Sequence, residues 1–143
     1  MIQMDKIGKY EIARELGTGA TSTVYLATDT FSKQQVAIKL FDLKSLRDPN
    51  SAKIYRKLLM TEASLAGKLS HPHIVKILDA VMDGDVNYMV MEYIEGSTLE
   101  QYAEVDHLLP LSNVAEIVYK CCKALEYAQY QGVIHRDIKP ANI

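Results

Sequence analysis

The chain has no tryptophan, two phenylalanines and only two cysteines among its 143 residues. The cysteines, Cys121 and Cys122, are sequence neighbours, and adjacent cysteines can close only a small, strained ring. A disulfide framework and a four-cysteine zinc site are therefore excluded. We expect both thiols to be reduced and to lie on a helix.

Long hydrophobic runs are also lacking. The longest apolar stretches are only a few residues, far short of the ~20 that a helix needs to cross a bilayer. Charged residues at Asp5, Lys6 and Lys9 leave no room for the apolar core of a signal peptide. These absences predict a cytoplasmic protein with no membrane segment in this part of the sequence.

Neither sign of charge is in large excess. The 16 Lys and Arg residues oppose 18 Asp and Glu residues, a formal net charge of −2. This balance creates no overall attraction to nucleic acid, so we expect no nucleic-acid partner. Hydrophobic residues make up 48% of the chain and charged residues 24%, which is typical of a folded globular protein. The length by itself favours one domain.

The first 92 residues show mainly the alternating pattern of β-strands. A single amphipathic helix begins near Asp48-Pro49 and ends before His71-Pro72. The turn Asp83-Gly84-Asp85 between two apolar runs is typical of a hairpin. The five predicted strands are Tyr10–Leu16, Thr23–Thr28, Gln35–Phe41, Val75–Met82 and Val86–Met91.

Beyond these strands the period changes to that of a helix. A short helix is predicted from Ser97 through about Glu104, and a longer one follows Pro110 and ends at Gly132. Glu95-Gly96 is therefore the natural boundary between a β-rich part and a helical part.

The segment Leu16-Gly17-Thr18-Gly19 occupies the turn between the first two predicted strands. Its glycines would allow backbone N–H groups to approach a phosphate closely, although two glycines also suit an ordinary hairpin turn. A strand follows this turn, whereas the glycines of a dinucleotide-binding Rossmann fold precede a helix. The Rossmann alternative is therefore disfavoured.

Lys39 lies in the middle of the third predicted strand, where a charged side chain needs a partner or access to solvent. Glu62, on the following helix, is the candidate partner, and such a pair would hold nucleotide phosphates. The alternative is a lysine that points out of a half-exposed sheet.

The last residues contain the densest polar cluster, His135-Arg136-Asp137-Ile138-Lys139-Pro140-Ala141-Asn142. Asp137 could act as a base, Lys139 as a phosphate clamp and Asn142 as a metal ligand. A solvated charged loop is the alternative interpretation of the same residues.

Taken in this order, the segments resemble the protein kinase family. The matching motifs are Gly17-x-Gly19-x-x-Ser22-x-Val24, Val36-Ala37-Ile38-Lys39 and His135-Arg136-Asp137 with Asn142. The resemblance implies an α+β, protein-kinase-like fold with a five-stranded antiparallel N-lobe sheet and one αC-type helix. The first helices of an incomplete helical C-lobe would follow. Residues 10–94 would form the N-lobe, and 95–143 the hinge and the start of the C-lobe.

The resemblance also implies an ATP site and a Mg²⁺ ligand. Val24 and Ala37 would cover the adenine ring, and Met91 would guard the back of the pocket. The backbone of Glu92 and Ile94 would hydrogen-bond adenine. The full set of nucleotide-binding residues is Leu16, Gly17, Thr18, Gly19, Val24, Ala37, Lys39, Met91, Glu92 and Ile94.

Catalytic roles carry over in the same way. Lys39 paired with Glu62 would hold the α and β phosphates. Asp137 would accept the proton of the substrate hydroxyl, and Lys139 would steady the γ-phosphate. Asn142 would bind a Mg²⁺ ion. Lys139 is the residue that favours serine and threonine over tyrosine as the acceptor.

Two departures from the family pattern stand out. The third glycine of the loop is replaced by Ser22, which the fold can absorb. The sequence ends one residue after Asn142 and so does not contain the Asp-Phe-Gly segment. We therefore expect residues 1–143 to be a partial kinase domain, truncated just after the catalytic loop and inactive by itself.

The sequence thus predicts a Ser/Thr protein kinase, similar in style to bacterial kinases of the eukaryotic type, with a protein hydroxyl as its substrate. The alternative is a catalytically inactive module that binds nucleotide or mediates interactions. Because the apolar stripe of the last helix has no obvious partner in this sequence, self-association through that helix is a further expectation.

Overall fold

The computed structural model describes residues 5–19, 21–42, 49–82 and 86–143. Asp48 and the turn Asp83-Gly84-Asp85 lie outside the described residues. The strands are β1 (Lys6–Ile7), β2 (Tyr10–Thr18), β3 (Ser22–Asp29), β4 (Gln35–Phe41), β5 (Ile77–Val81) and β6 (Asn87–Glu92). The α-helices are α1 (Pro49–Ala66) and α2 (Leu111–Tyr130).

The strands form one antiparallel sheet in the order β1-β2-β3-β4-β6-β5. The predicted α+β architecture with an antiparallel sheet is confirmed, but the predicted count of five strands is wrong by one. The additional strand is β1, in which Ile7 pairs with Tyr10 and is buried. Two residues are too few to show an alternating pattern, so this strand could not be predicted from the sequence.

One face of the sheet carries the larger apolar core. Alternate residues of a strand share a face, so Val36 and Ile38 of β4 both point into this core. Ile38 and Val90 are completely enclosed. The buried members of the cluster are Ile7, Tyr10, Ala27, Val36, Ile38, Tyr88 and Val90.

The opposite face of the sheet receives helix α1. Leu59 of the helix packs with Phe41 and Met82, and Tyr55 adds to this smaller cluster. The helix ends where the Gly67 N–H donates to the carbonyl of Ala63, at 2.8 Å. This packing places α1 on the same face as Lys39, two residues before Phe41.

The chain divides into two compact units. The first unit comprises the described residues up to Lys68 together with Lys76–Tyr93, and it contains the sheet and α1. The second unit comprises Leu69–Val75 and Ile94–Ile143, and it contains α2.

Helix α2 organises the second unit. The Tyr127 hydroxyl accepts a hydrogen bond from the Ser70 N–H at 3.1 Å, and its ring centroid lies 5.3 Å from that of His71. These contacts attach the segment 69–75 to the helix. Three short 3₁₀ helices, Leu99–Tyr102, Val105–His107 and Pro140–Asn142, complete this unit. The first lies within the single short helix that the sequence predicted from Ser97 through about Glu104, and the second follows it.

Only part of the predicted apolar face of α2 is buried. The predicted face comprises Val114, Ile117, Val118, Cys121, Leu125 and Ala128. Of these, Ala128 is buried, whereas Val118 is 53% exposed. The segment 69–75 contacts the helix near Tyr127, so it covers the C-terminal half rather than the whole stripe. Among the described residues, no helix is both long enough and apolar enough to span a membrane.

Candidate active site

Cross-strand pairing brings four of the predicted nucleotide-binding residues onto one face of the sheet. Val24 pairs with Lys39, which in turn pairs with Met89. Ala37 pairs with Met91 in the neighbouring row. Because residues two apart on a strand share a face, Val24, Ala37, Lys39 and Met91 form one surface.

The glycine-containing turn joins β2 to β3 beside this surface. Gly17 pairs with Val24, and the strand is irregular between Glu15 and Gly17. The Gly19 N–H donates to the carbonyl of Ser22 at 2.8 Å, which closes the turn. A Cβ atom added at Gly17 would have no neighbour within 4 Å. The backbone here is thus open to a ligand.

Leu16 and Thr18 lie on the same stretch of β2. Leu16 is 37% exposed, so an apolar side chain stands at the surface next to the turn. The Thr18 hydroxyl donates to the Glu15 carboxylate at 2.7 Å, which links two side chains near the end of the strand.

Lys39 and Glu62 are not brought together. Both residues are described, and no ion pair joins them. The Lys39 Nζ instead lies 5.6 Å from the ring centroid of Phe41, within the range of a cation–π contact. Glu62 is exposed on α1. The predicted pair is therefore absent from this structure, because the lysine turns along its own strand.

The end of β6 carries Met91 and Glu92. Glu92 makes two hydrogen bonds with the backbone of Lys76: its N–H donates to the Lys76 carbonyl at 3.0 Å, and its Oε1 accepts the Lys76 N–H at 2.7 Å. Ile94, two residues later, belongs to the second unit, and its side chain is 60% exposed.

In the second unit, the predicted catalytic residues do come together. The Lys139 Nζ lies 3.1 Å from Oδ2 of Asp137. The Asn142 Nδ2 donates to the same Oδ2 at 2.9 Å and to the main-chain carbonyl of Asp137 at 2.8 Å. The hydrogen bond from Lys139, followed by the one from Asn142, lowers the pKa of the Asp137 carboxyl below its ordinary value.

His135 and Arg136 shape the backbone before Asp137. The Asp137 N–H donates to Nδ1 of His135 at 3.2 Å, and Arg136 has a φ of 67°, a left-handed conformation that is uncommon for a residue with a side chain. His135 is not among the predicted site residues. The sequence signal for this bond is a histidine two residues before the donor. His71 shows the same arrangement, because its Nδ1 accepts the N–H of His73 at 3.1 Å.

Comparison with known proteins agrees with this geometry. A probable serine/threonine-protein kinase of Clostridium acetobutylicum is 36% identical over 135 residues, which cover 94% of this chain and 20% of that protein. The serine/threonine-protein kinase PknB of Mycobacterium leprae is 38% identical over 139 residues, covering 94% of this chain and 22% of that protein. This chain thus spans about a fifth of the length of these relatives.

Solved structures show the same fold. The PknI kinase domain of Mycobacterium tuberculosis superimposes with a TM-score of 0.77 at 29% identity, covering 96% of this chain and 54% of that one. The family model described as the protein kinase domain matches residues 10–143, which include all the motifs above. The chain therefore belongs to the protein kinase family.

Proposed function

We propose that this chain supplies the nucleotide-binding and hydroxyl-activating residues of a Ser/Thr protein kinase, which transfers the γ-phosphoryl group of ATP to a protein hydroxyl. The observation that carries the proposal is the arrangement of Lys139 and Asn142 on one carboxylate oxygen of Asp137, at 3.1 and 2.9 Å. Relatives that bear the name of serine/threonine-protein kinase support the choice of acceptor.

Adenine binding is assigned to the shared face of the sheet. Val24 and Ala37 offer apolar atoms for the flat ring, and the small side chain of Ala37 leaves space for it. Met91, cross-strand from Ala37, closes the back of the pocket. Leu16 adds apolar contact beside the turn, and the backbone of Glu92 and Ile94 hydrogen-bonds the adenine edge.

Phosphate binding is assigned to Lys39 and to the turn of Gly17, Thr18 and Gly19. The Gly19 N–H already donates to the carbonyl of Ser22. Gly19 therefore favours phosphate binding because it has no side chain, and not by donating a hydrogen bond. Lys39 supplies the positive charge. Glu62 would join Lys39 once the nucleotide draws the lysine away from the Phe41 ring.

The transfer step depends on Asp137. Its carboxylate orients the acceptor hydroxyl and takes up the hydroxyl proton as the new O–P bond forms and the bond to the leaving ADP breaks. The lowered pKa of Asp137 keeps the carboxylate ionised, so that it is an acceptor for the hydrogen bond from the substrate hydroxyl. Lys139, which contacts Asp137, balances the charge of the γ-phosphoryl group.

The residues present suit a Mg²⁺ ion, which binds oxygen ligands. The Nδ2 of Asn142 is engaged with Asp137, which leaves the amide oxygen of Asn142 as the group for a hard cation. When bound, Mg²⁺ neutralises phosphate charge. Asn142 thus has two assigned roles, in holding Asp137 and in holding the ion.

The test is phosphoryl transfer by the full-length protein from γ-labelled ATP to a mixed peptide acceptor, with the labelled amino acid identified. We expect label on serine and threonine. Lys39→Met should abolish transfer, whereas the matched control Lys57→Met, an exposed lysine on α1, should not. Nucleotide binding without any transfer would contradict the proposal and favour an inactive nucleotide-binding module.

A further inference from the structure

Glu92 binds one residue through both its backbone and its side chain. The Glu92 N–H donates to the carbonyl of Lys76 at 3.0 Å, and the Glu92 carboxylate accepts the N–H of the same Lys76 at 2.7 Å. Both residues lie in the first unit. The two bonds form a closed clamp between the end of β6 and the residue before β5.

The clamp begins where regular strand pairing ends. The last ladder pair between β5 and β6 is Ile77 with Met91, and the pairing is irregular between Ile77 and Asp79. The Lys76 N–H lies beyond the last ladder pair and belongs to an exposed residue, so either water or a protein group can be its acceptor. The Glu92 carboxylate supplies that acceptor, and a bond to a charged oxygen is stronger than one between neutral groups.

The clamped residue begins the segment assigned to adenine. The backbone of Glu92 is one of the groups assigned to hydrogen-bond the base, so its position decides how well the edge of adenine is matched. Binding groups need to be held within about 0.5 Å of the productive geometry. A bond from the Glu92 side chain to the residue before β5 is a direct way to hold the Glu92 backbone.

We propose that Glu92 is a positioning residue whose carboxylate holds the Glu92 backbone in register for adenine and so sets the preference for adenine over guanine nucleotides. The proposal rests on the proposed nucleotide function. Adenine and guanine differ in the donors and acceptors on the edge that this backbone faces. When the bond to Lys76 is lost, the backbone of Glu92 no longer matches the edge of adenine. Lys39 still holds the phosphates, so the loss affects recognition of the base.

The experiment compares Glu92→Ala and Glu92→Gln in the full-length protein. Glu92→Ala removes the acceptor for Lys76 and should raise KM for ATP about tenfold, the loss of one charge-assisted hydrogen bond, with little change in kcat. The ratio of ATP to GTP use should fall by a similar factor. Glu92→Gln retains an acceptor oxygen and should restore most of the preference.

The matched control is Glu11→Ala, which removes an exposed carboxylate from β2 and should leave KM and the ATP-to-GTP ratio unchanged. An unchanged KM and ratio in Glu92→Ala would overturn the positioning role, as would a fall in kcat alone. If the wild-type protein binds neither nucleotide in a direct titration, the proposed function itself fails, and that result is distinct from the other two.

Discussion

The side-chain amide of Asn142 donates hydrogen bonds to two oxygens of Asp137, the carboxylate Oδ2 at 2.9 Å and the main-chain carbonyl at 2.8 Å. The carboxylate is thereby fixed relative to its own backbone. Lys139 approaches the same Oδ2 at 3.1 Å. Oδ1 is therefore the oxygen that we assign to the acceptor hydroxyl.

Asn142→Ala should release the Asp137 carboxylate from this arrangement. Because a misplacement of about 1 Å at a reacting group costs about 10²-fold in rate, we expect kcat to fall by that order. Steady-state kinetics with saturating ATP measure the effect. The control Asn113→Ala, at the start of α2, should match the wild type, and an undiminished kcat in Asn142→Ala would contradict the positioning of Asp137.

Lys139→Met should change the titration of Asp137. Lys139 is the main cause of the lowered pKa, so its loss should move that pKa up towards the ordinary value of a free aspartate, about 3.9. The acid limb of the pH–rate profile should move to higher pH. Carboxyl titration followed by NMR gives the direct measurement, and Lys139→Arg, which keeps the cation, should move the pKa less.

The variant Glu62→Gln tests whether Glu62 contributes to catalysis without contributing to the stability of the fold. Since Glu62 is exposed and forms no ion pair with Lys39, its neutralisation should change the free energy of unfolding by no more than about 0.5 kcal/mol. Phosphoryl transfer should nevertheless fall if the pair forms with bound nucleotide. Denaturant unfolding and initial rates test the two parts, and an unchanged rate would remove Glu62 from the catalytic set.

Gly8→Ala should destabilise the first unit. Gly8 has a φ of 55°, and an added Cβ would lie 2.6 Å from the hydroxyl oxygen of the buried Tyr88. Strain and overpacking together should cost about 2–3 kcal/mol. Gly17→Ala is the matched control, because its Cβ would meet no atom within 4 Å and its φ is ordinary. Equal unfolding midpoints for both variants would refute this account of Gly8.

Much of the sheet could be predicted because its strands alternate clearly. The bounds of β4 were predicted to the residue, and those of β2 and β3 within two residues. Strand β1 could not be predicted, because its pairing depends on Ile7 finding a buried place beside Tyr10 rather than on a pattern of its own.

The predicted site residues likewise include a group that the sequence could bring together and a pair that it could not. Asp137, Lys139 and Asn142 lie within five residues, so local backbone geometry is enough to bring them together. The pairing of Lys39 with Glu62 depends on side-chain conformations across two elements, and sequence spacing does not fix these. The attachment of 69–75 to α2 likewise includes contacts of Tyr127, which no sequence pattern marks.

The most direct test of the central claim is the single-turnover rate of γ-phosphoryl transfer by the full-length protein and its Asp137→Asn variant. We expect the variant to bind ATP as tightly as the wild type and to transfer phosphate at least about 10²-fold more slowly, since it lacks the proton acceptor. The control Asp106→Asn, in an exposed 3₁₀ helix, should retain the wild-type rate. A wild-type rate in Asp137→Asn would contradict the account.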